Sequence, residues 1–402
     1  MSIGIVGTGI SGLTLALHLR QHGTETTVYS EHAAGDLRGS RLSNAVARSA
    51  ATQARERALG VDHWADATHQ MRALHLHAGD AIQVTGRLPD PMTAIDFRIY
   101  LPRLLEDYLR RGGKLVIAAG AAEQVTAWSE RHELMVVASG RDTADRLFPR
   151  DGAHAAPQRR IAAGLYRGIA SPEPEGIVYA LAPGAGEIFT MPFLTFEGWV
   201  TALLVEAIPG GPLEPITRAR STEGHEADLL ALLERFAPAI AARVDRGRFA
   251  LTRKQDLLRG AVTPTARMPW ARLETGRYAL AIGDAWATND PLVAQGANLA
   301  SATGWIVGEA ICEHAVLDEL FRRDVEARMW AAAQPAIDVT NAFLAPPPHV
   351  VELLEVATRD ARVADALAAR FGRPAELWRT IATPERTAAF LAGTREVAGQ
   401  RA

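Results

Sequence analysis

The first thirty residues constrain the fold of this chain more than any other stretch. The apolar run IGIV precedes a G-x-G-x-x-G pattern formed by Gly7, Gly9 and Gly12, and apolar residues then recur at helical spacing. These glycines permit a tight turn, close approach of the backbone to a pyrophosphate, and close packing of helix on strand. The strand-like TTVY and then Glu31 follow, and the Glu31 carboxylate can accept hydrogen bonds from a ribose. The pattern predicts a Rossmann-type dinucleotide site, and its alternative is a βαβ turn with a purely structural role.

A second stretch, GDAWATNDPLVAQGANLAS at 283–301, bears on which dinucleotide is bound. The glycine pattern alone does not separate FAD from NAD. An aspartate at a strand end, such as Asp284, can bind the ribityl hydroxyls of FAD, and the N-terminus of the following helix can face the N1–O2 edge of the flavin. The alternative is that Asp284 is a helix cap or a turn residue. Together the two stretches favour FAD, with these further residues expected beside it: Pro291, Gly296, Ala297 and Asn298.

Composition narrows the class of protein. A chain of 402 residues exceeds one compact core, so two or more domains are expected. A net charge of −3 gives no sign of nucleic-acid binding. The single cysteine, Cys312, excludes a disulfide framework and a metal site built from cysteines, and is typical of a reducing cytoplasm. Residues 1–20 lack a basic n-region, and no run approaches the roughly 18 apolar residues of a membrane span. We therefore expect a cytoplasmic protein that binds neither nucleic acid nor membrane.

The whole chain resembles the oxygenase subunit of styrene monooxygenase and the related indole monooxygenases, the two-component (group E) flavoprotein monooxygenases. The resemblance runs through GIVGTGISGL, LRQHGTETTVYSE, RLSNAVARSAATQARE, DFRIYLPRLLEDYLRRGGKL, PQRRIAAGLYRGI and GDAWATNDPLVAQGANLAS. It implies a hydroxybenzoate-hydroxylase-like fold of class α/β plus β, with a Rossmann-type FAD-binding domain, a β-sheet substrate domain and a helical C-terminal region. The expected boundaries are 1–57, 95–155 and 270–320 for the first, 58–94 and 156–269 for the second, and 321–402 for the third.

The resemblance also implies a reaction and its partners. FAD arrives reduced, as FADH2, from a separate NADH-dependent flavin reductase, and O2 adds at C4a to give a hydroperoxide. One oxygen atom then passes to a small apolar aromatic substrate, either the double bond of a styrene-like alkene or of indole, or the sulfur of an aryl sulfide. Because the cofactor performs the hard step, the protein is expected to supply an apolar pocket with one or two polar anchors. Homodimers are common in the family.

The segment RLSNAVARSA supplies site residues by resemblance. Arg41 and Asn44 match family positions near the flavin, which makes both candidate catalytic residues and Arg41 a candidate cofactor contact. Asn44 can hydrogen-bond the reactive oxygen or a substrate N–H, and its alternative is an Asx-turn or helix cap. Val46 matches a wall residue of the substrate pocket. Arg48 departs from the family, where styrene enzymes have histidine and indole enzymes methionine. We expect Arg48 either to turn to solvent or to anchor an acidic or carbonyl-bearing substrate.

Three further pocket positions also depart from the family: Met71, Leu74 and Met92 stand where styrene enzymes present tyrosine, histidine and serine. They can line a broader pocket, and the alternative is ordinary core packing. Arg55 is expected to bind the FAD pyrophosphate or a carboxylate, with a surface ion pair as the alternative.

No metal site is expected from the sequence. His75 and His77 alternate and can share one strand face, but no third ligand is near in sequence. Cys312 is expected to pack inside a helix as a small apolar residue.

Three other functions stay open on the sequence. One is a single-component aromatic hydroxylase that uses NAD(P)H directly. Another is a flavin-dependent halogenase, against which the lack of a W-x-W-x-I-P stretch argues. The last is a non-catalytic nucleotide-binding protein on the same fold, against which the complete glycine pattern, Glu31 and Asp284 argue.

Overall fold

The computed structural model describes residues 1–66, 69–154, 156–219 and 224–399. Within these ranges the strands are β1 (Ser2–Val6), β2 (Glu25–Ser30), β3 (Ala47–Arg48), β4 (Met71–Ala78), β5 (Ile82–Ala94), β6 (Lys114–Ile117), β7 (Leu134–Val137), β8 (Arg150–Asp151), β9 (Arg159–Arg167), β10 (Gly176–Ala182), β11 (Gly186–Thr195), β12 (Gly198–Ala207), β13 (Ala250–Leu251), β14 (Leu257–Val262), β15 (Thr265–Arg267), β16 (Trp270–Arg272), β17 (Tyr278–Ala281) and β18 (Ala287–Thr288).

The α-helices in the same ranges are α1 (Ile10–Gln21), α2 (Ala34–Gly39), α3 (Ala50–Ala58), α4 (Phe97–Arg110), α5 (Ala122–Ser129), α6 (Arg141–Leu147), α7 (Glu214–Arg218), α8 (His225–Phe236), α9 (Pro238–Ala241), α10 (Gly296–Glu313), α11 (Glu319–Leu344), α12 (Pro348–Arg359), α13 (Ala361–Ala368), α14 (Pro374–Ile381) and α15 (Pro384–Gly399). None of these helices is long and apolar enough to cross a membrane.

The first sheet is largely parallel and draws its strands from three separate parts of the chain. Its order is β16-β17-β7-β1-β2-β6, and only the β16–β17 pair is antiparallel. Parallel strands need cover on both faces, which explains why β7 and β1 after Ser2 carry no polar side chain. Ile3 and Ile5 of β1 have no exposed surface, and Leu13 and Leu17 of α1 are equally buried. This sheet places the turn that follows β1 at the carboxyl edge of the strands.

Helices α1 and α10 lie unusually close because small residues face each other along their contact. A Cβ added to Gly304 of α10 would overlap the carbonyl oxygen of Ser11, and one added to Gly308 would lie 2.6 Å from Nδ1 of His18. The two helices run in the same direction, since contacts move from Ser11 to His18 as they move from Gly304 to Gly308. The same close approach brings Gly283, which precedes α10, against Ser11 Oγ.

The second sheet has two buried faces. Its order is β13-β9-β12-β11-β10-β4-β5-β3, with β14 paired to the same edge of β9 as β13. Because side chains alternate along a strand, one face packs on α7 to α9 and the other faces the C-terminal helices and the loop before α10. A third sheet, in the order β18-β15-β8, is small and joins the loop before α10 to the segment after α6.

We predict that Gly304 and Gly393 respond oppositely to the same substitution. Both lie in helices without positive φ, but no described heavy atom lies within 4 Å of a Cβ at Gly393. Gly304→Ala should lower the free energy of unfolding by about 1–3 kcal/mol, because the new methyl overpacks the contact with α1. Gly393→Ala should raise it by up to about 1 kcal/mol, because alanine loses less backbone entropy. Urea unfolding measures both, and equal effects would contradict the close contact of α1 with α10.

Candidate active site

The turn after β1 has the geometry of a dinucleotide-binding loop. Gly7 adopts a φ of 110°, and a Cβ there would lie 2.8 Å from the Ala138 carbonyl oxygen. A Cβ on Gly12 would overlap the Gly7 carbonyl oxygen, so glycine is needed for α1 to begin this close to the turn. At Gly9 the nearest described atom to a Cβ is 3.8 Å away. Space therefore remains at the N-terminus of α1, where N–H groups can meet a pyrophosphate.

The end of β2 places Glu31 beside this turn. The Gly7 N–H donates to the Tyr29 carbonyl oxygen at 2.8 Å, and Thr8 Oγ1 lies 3.0 Å from Ser30 Oγ. Glu31 is the next residue, and its side chain is exposed. A carboxylate at this position is within reach of a ribose that follows the pyrophosphate over the sheet edge.

The second predicted stretch forms a turn that buried groups hold in place. Gly283 has a φ of 56°, and its N–H donates to Thr303 Oγ1 at 3.1 Å. Arg267 is 2% exposed and donates to the carbonyl oxygens of Asp284 and Ala285 at 3.4 and 3.3 Å. The Asp284 side chain remains exposed.

A cavity of about 250 Å³ lies between this turn and the second sheet. It brings together predicted residues from two distant parts of the sequence: Asn44, Val46, Asp284, Pro291 and Gly296. Its polar lining comes from this side of the cavity, namely Ser43, Asn44, Asp284, Thr288 and Asn289.

The opposite wall of the cavity is one face of five neighbouring strands, in the order β14-β9-β12-β11-β10. Side chains two residues apart share a face. The wall therefore alternates along each strand and is apolar over most of its area, with these members: Ile161, Ala163, Ile177, Tyr179, Phe189, Met191, Leu204, Leu258 and Val262.

Asn298, predicted beside the flavin, uses its whole side chain within the protein. Its Oδ1 accepts from the Ser49 N–H at 2.9 Å and from Thr52 Oγ1 at 2.8 Å. Its Nδ2 donates to the carbonyl oxygens of Ala47 and Ala294 at 3.1 and 3.0 Å. Asn298 thus ties α10 to β3 and α3, and only its backbone remains for a cofactor. Its neighbour in the first turn of α10, Ala297, is also buried.

Arg48 is turned inward, which corrects the expectation of a side chain turned to solvent. It is 1% exposed, donates to Glu56 at 2.5 Å and to Thr93 Oγ1 at 3.0 Å, and lies 5.2 Å from the centre of the Tyr100 ring. The Tyr100 hydroxyl donates to the other Glu56 oxygen at 2.7 Å. Burial raises the pKa of Glu56, and Arg48 opposes that rise. Arg48 does not line the cavity, because this buried carboxylate holds it.

The three methionine and leucine candidates also lie outside the cavity lining. Met71 and Met92 face each other across β4 and β5 and are fully buried. Leu74 borders a smaller apolar void of about 40 Å³ behind Tyr179, between the sheet and the C-terminal helices. Their predicted contact with substrate stays a prediction.

Arg41 is exposed and does not line the cavity, so its role at the flavin also stays a prediction. Arg55 donates to Ser301 Oγ at 3.2 Å, and burial lowers its pKa.

His75, from the alternating histidine pair, is held within the protein by hydrogen bonds, whereas Cys312 is exposed. His75 uses both ring nitrogens, on Thr85 Oγ1 at 3.0 Å and on the Pro174 carbonyl oxygen at 2.8 Å. Cys312 is exposed rather than packed, since it lies on the last turn of α10 where the helix leaves the core.

The sequence reasoning missed a buried charge cluster beside the cavity. Glu187 and Glu206 are paired across β11 and β12, and Arg159 of β9 contacts the Glu187 carboxylate. Asp290, from the loop that carries Pro291, completes this charge cluster. Glu206 has no exposed surface, and neither of its carboxyl oxygens has a hydrogen-bond partner among the described residues. The available signal was a glutamate inside the apolar run ALLVEA.

The charge cluster holds three carboxyl groups against one guanidinium. Burial raises the pKa of Glu187 to about 7, although Arg159 opposes the rise. Burial, with Asp290 and Glu187 as neighbours, raises the pKa of Glu206 well above its usual range. Burial also raises the pKa of Asp290. A buried carboxylate without partners is costly, so burial favours the protonated form of these groups.

We predict that Glu206→Gln flattens the pH dependence of stability. An unfolded glutamate releases its proton near pH 4.3, while folded Glu206 retains it, so stability falls with rising pH by about 1.4 kcal/mol per pH unit. Glutamine keeps the shape and removes this titration. Urea unfolding at pH 6, 7 and 8 should show a smaller slope for the variant, with exposed Glu130→Gln as control. Parallel pH profiles for wild type and Glu206→Gln would show that Glu206 is ionised.

The arrangement fits FAD on its own geometry. One end offers an open helix N-terminus at Gly9, with Glu31 beside it, and the other offers Asp284 and the N-terminus of α10 at the mouth of the cavity. The first turn of α10 carries no acidic side chain that would compete for its N–H groups.

Comparison with known proteins agrees with this geometry. The family model described as "Styrene monooxygenase A putative substrate binding domain" matches residues 140–243. Two relatives, both named styrene monooxygenase StyA, come from Pseudomonas sp and Pseudomonas fluorescens. Each is 34% identical over 397 residues, which covers 96% of this chain and 96% of the relative.

Solved structures show the same fold at low identity. The flavin-dependent brominase Bmp2 matches with a TM-score of 0.71 and 13% identity, over 100% of both chains. The p-nitrophenol 4-monooxygenase PnpA from Pseudomonas putida DLL-E4 matches with a TM-score of 0.66 and 14% identity, over 92% of this chain and 97% of PnpA. These neighbours confirm the predicted fold class, and with the relatives they support FAD as the cofactor. The chain belongs to the styrene monooxygenase family of FAD-dependent monooxygenases.

Proposed function

We propose that this chain is the oxygenase component of a two-component monooxygenase that epoxidises small aromatic alkenes or indole and oxidises aryl sulfides to sulfoxides. The observation that carries the proposal is the cavity of about 250 Å³, which has an apolar sheet on one side and the two ends of the cofactor-binding geometry on the other. A separate NADH-dependent flavin reductase supplies FADH2. The single cysteine is typical of cytoplasmic proteins, so we assign the reaction to the cytoplasm.

We assign the cofactor contacts by position. Gly7, Gly9 and Gly12 make room for the pyrophosphate at the start of α1, and Glu31 accepts hydrogen bonds from the ribose. Asp284 meets the ribityl chain, and the backbone N–H groups at Gly296 and its neighbours face the flavin edge. Arg41 is assigned to the outer side of the flavin. When bound and reduced, FAD supplies the electrons that activate O2 for transfer to the substrate.

The substrate contacts follow from the two walls of the cavity. The sheet wall, with Phe189 and Leu204 near its centre, binds an aromatic ring and excludes water. Asn44 supplies a polar group on the cofactor side, where it can hydrogen-bond a substrate N–H or the oxygen that is transferred. Val46 fixes the position of the ring beside it.

We also propose the domain division expected from the sequence. The six-stranded sheet takes strands from 1–57, 95–155 and 270–320. The large sheet takes β4, β5 and β9 to β14 from 58–94 and 156–269, and it adds β3 from 1–57 at its edge. The helices after residue 320 form the third part. A homodimer is proposed from family resemblance alone.

The decisive experiment supplies photoreduced FAD and O2 to the purified chain, without reductase or NADH, and measures styrene oxide, indole oxidation products and methyl phenyl sulfoxide. Product formation supports the proposal. Direct reduction of bound FAD by NADH would instead indicate a single-component hydroxylase. Hydrogen peroxide without organic product would overturn the oxygenase function, and a brominated aromatic product in the presence of bromide would indicate a halogenase.

We predict that Asn44→Ala uncouples oxygen use from product. Loss of the hydrogen bond should lower the epoxide formed per O2 consumed by about tenfold, which corresponds to about 1.4 kcal/mol. The O2 that no longer yields epoxide should appear as hydrogen peroxide. Asn341→Ala, an exposed asparagine on α11, is the control. Equal coupling in both variants would remove Asn44 from the site.

We predict that Ala162→Leu lowers the stability of the fold, whereas Ala163→Leu changes the substrate preference. Ala163 faces the cavity and Ala162 the opposite core of the same strand. Ala163→Leu fills cavity space, so it should reduce turnover of 2-vinylnaphthalene far more than of styrene with little loss of thermal stability. Ala162→Leu should instead destabilise the protein by about 1–3 kcal/mol through overpacking. If Ala163→Leu leaves the substrate preference unchanged, the cavity does not hold the substrate.

A further inference from the structure

We propose that His18, His22 and Cys312 form a site for a divalent transition metal of the zinc type, distant from the cavity. One ring nitrogen of each histidine and the Cys312 sulfur lie within 4.8 Å of one another. The three residues stand at the C-terminal ends of α1 and α10, so this His-His-Cys site lies at the end of α1 opposite to Gly9.

The helix contact explains how the three ligands meet. His18 and His22 are four residues apart and lie on one face of α1 and its C-terminus, with ring centres 4.5 Å apart. Gly308 of α10 lies directly against the His18 ring, and Cys312 is one turn further along the same face. Because the helices run in the same direction, Cys312 stands beside His22.

The donor atoms of both histidines are available. His22 donates its Nδ1–H to the His18 carbonyl oxygen at 2.9 Å, which leaves Nε2 with its lone pair. Metal-ligating histidines commonly donate their other N–H in this way. His18 is 3% exposed, and its Nδ1 has no hydrogen-bond partner among the described residues.

The remaining ligand and its surroundings also suit a cation. The Cys312 side chain is exposed, and Glu313 follows it. As the metal–sulfur bond forms, the thiol of Cys312 loses its proton to solvent. The edge of the Trp305 ring packs on His18, with centres 4.7 Å apart, and holds that ring in place.

The ligand set selects the class of metal. Two imidazole nitrogens and a thiolate suit Zn²⁺ or Co²⁺, whereas Mg²⁺ and Ca²⁺ prefer oxygen. Bond lengths of about 2.0–2.3 Å require the ligand atoms to close by about 1 Å, which the exposed His22 and Cys312 can do by rotating. The exposed side leaves a fourth position for water, so the His-His-Cys site is open.

The test is a Co²⁺ titration of the untagged full chain after removal of metals with EDTA. At one equivalent of Co²⁺, the wild-type protein should show a thiolate-to-cobalt charge-transfer band in the near ultraviolet and the visible bands of tetrahedral Co²⁺. Added Zn²⁺ should displace the cobalt and abolish both sets of bands. Zn²⁺ should also raise the melting temperature, because the metal links the ends of two packed helices.

The variants distinguish this site from chance binding. Cys312→Ser and His22→Ala both change exposed side chains, so the fold should persist, and each should abolish the charge-transfer band and the Zn²⁺-dependent rise in melting temperature. His32→Ala, an exposed histidine after β2, should leave both unchanged. Absence of the band in wild type, or its persistence in either site variant, would overturn the proposal.

Discussion

The close contact between α1 and α10 is the constraint on which the rest of the structure depends. Glycine at 304 and 308 lets the two helices approach until backbone meets side chain. Because the helices run in the same direction, their positive N-terminal ends point to the same edge of the parallel sheet. That edge receives the glycine turn from one end of the chain and the Gly283 turn from the other. The fold thus brings together at one sheet edge two turns, at Gly7 and Gly283, that lie far apart in the sequence.

The substrate side depends on a different principle. The large sheet buries both faces, but with different partners, and the alternation of side chains separates them. One face is filled by α7 to α9 and serves stability. The opposite face is only partly filled, and the space left over is the cavity. The charge cluster of Arg159, Glu187, Glu206 and Asp290 connects this face to the loop that carries Pro291. Buried charge thus stands between the substrate wall and the cofactor loop.

Local signals made the cofactor side predictable from sequence. The glycine turn, Glu31 and Asp284 each follow a recognisable strand, and spacing along the chain was enough to infer their meeting. Family resemblance supplied Asn44 and Val46, which line the cavity.

The substrate side was less accessible, because its wall is assembled across strands rather than along one. The register of strand pairing decides which residues of β9 to β12 are neighbours, and the sequence of one strand alone does not specify that register. Arg48 shows the same limit. Its partners are Glu56, in the second turn of the next helix, and Thr93, on a strand 45 residues away, so a buried ion pair replaced the expected solvent-exposed side chain. Cys312 was misjudged because helix periodicity does not reveal where a helix leaves the core.

Asn298 gives the structure a mechanical property. Its side-chain amide accepts two hydrogen bonds and donates two, and these bonds join the start of α10, β3 and the start of α3. The three segments therefore behave as one body. An aspartate there would forfeit both donations, and a leucine all four bonds. The strand that this amide grips begins at Ala47, next to Val46 on the cavity wall. A movement of the start of α10 would therefore also move Val46, which lines the cavity.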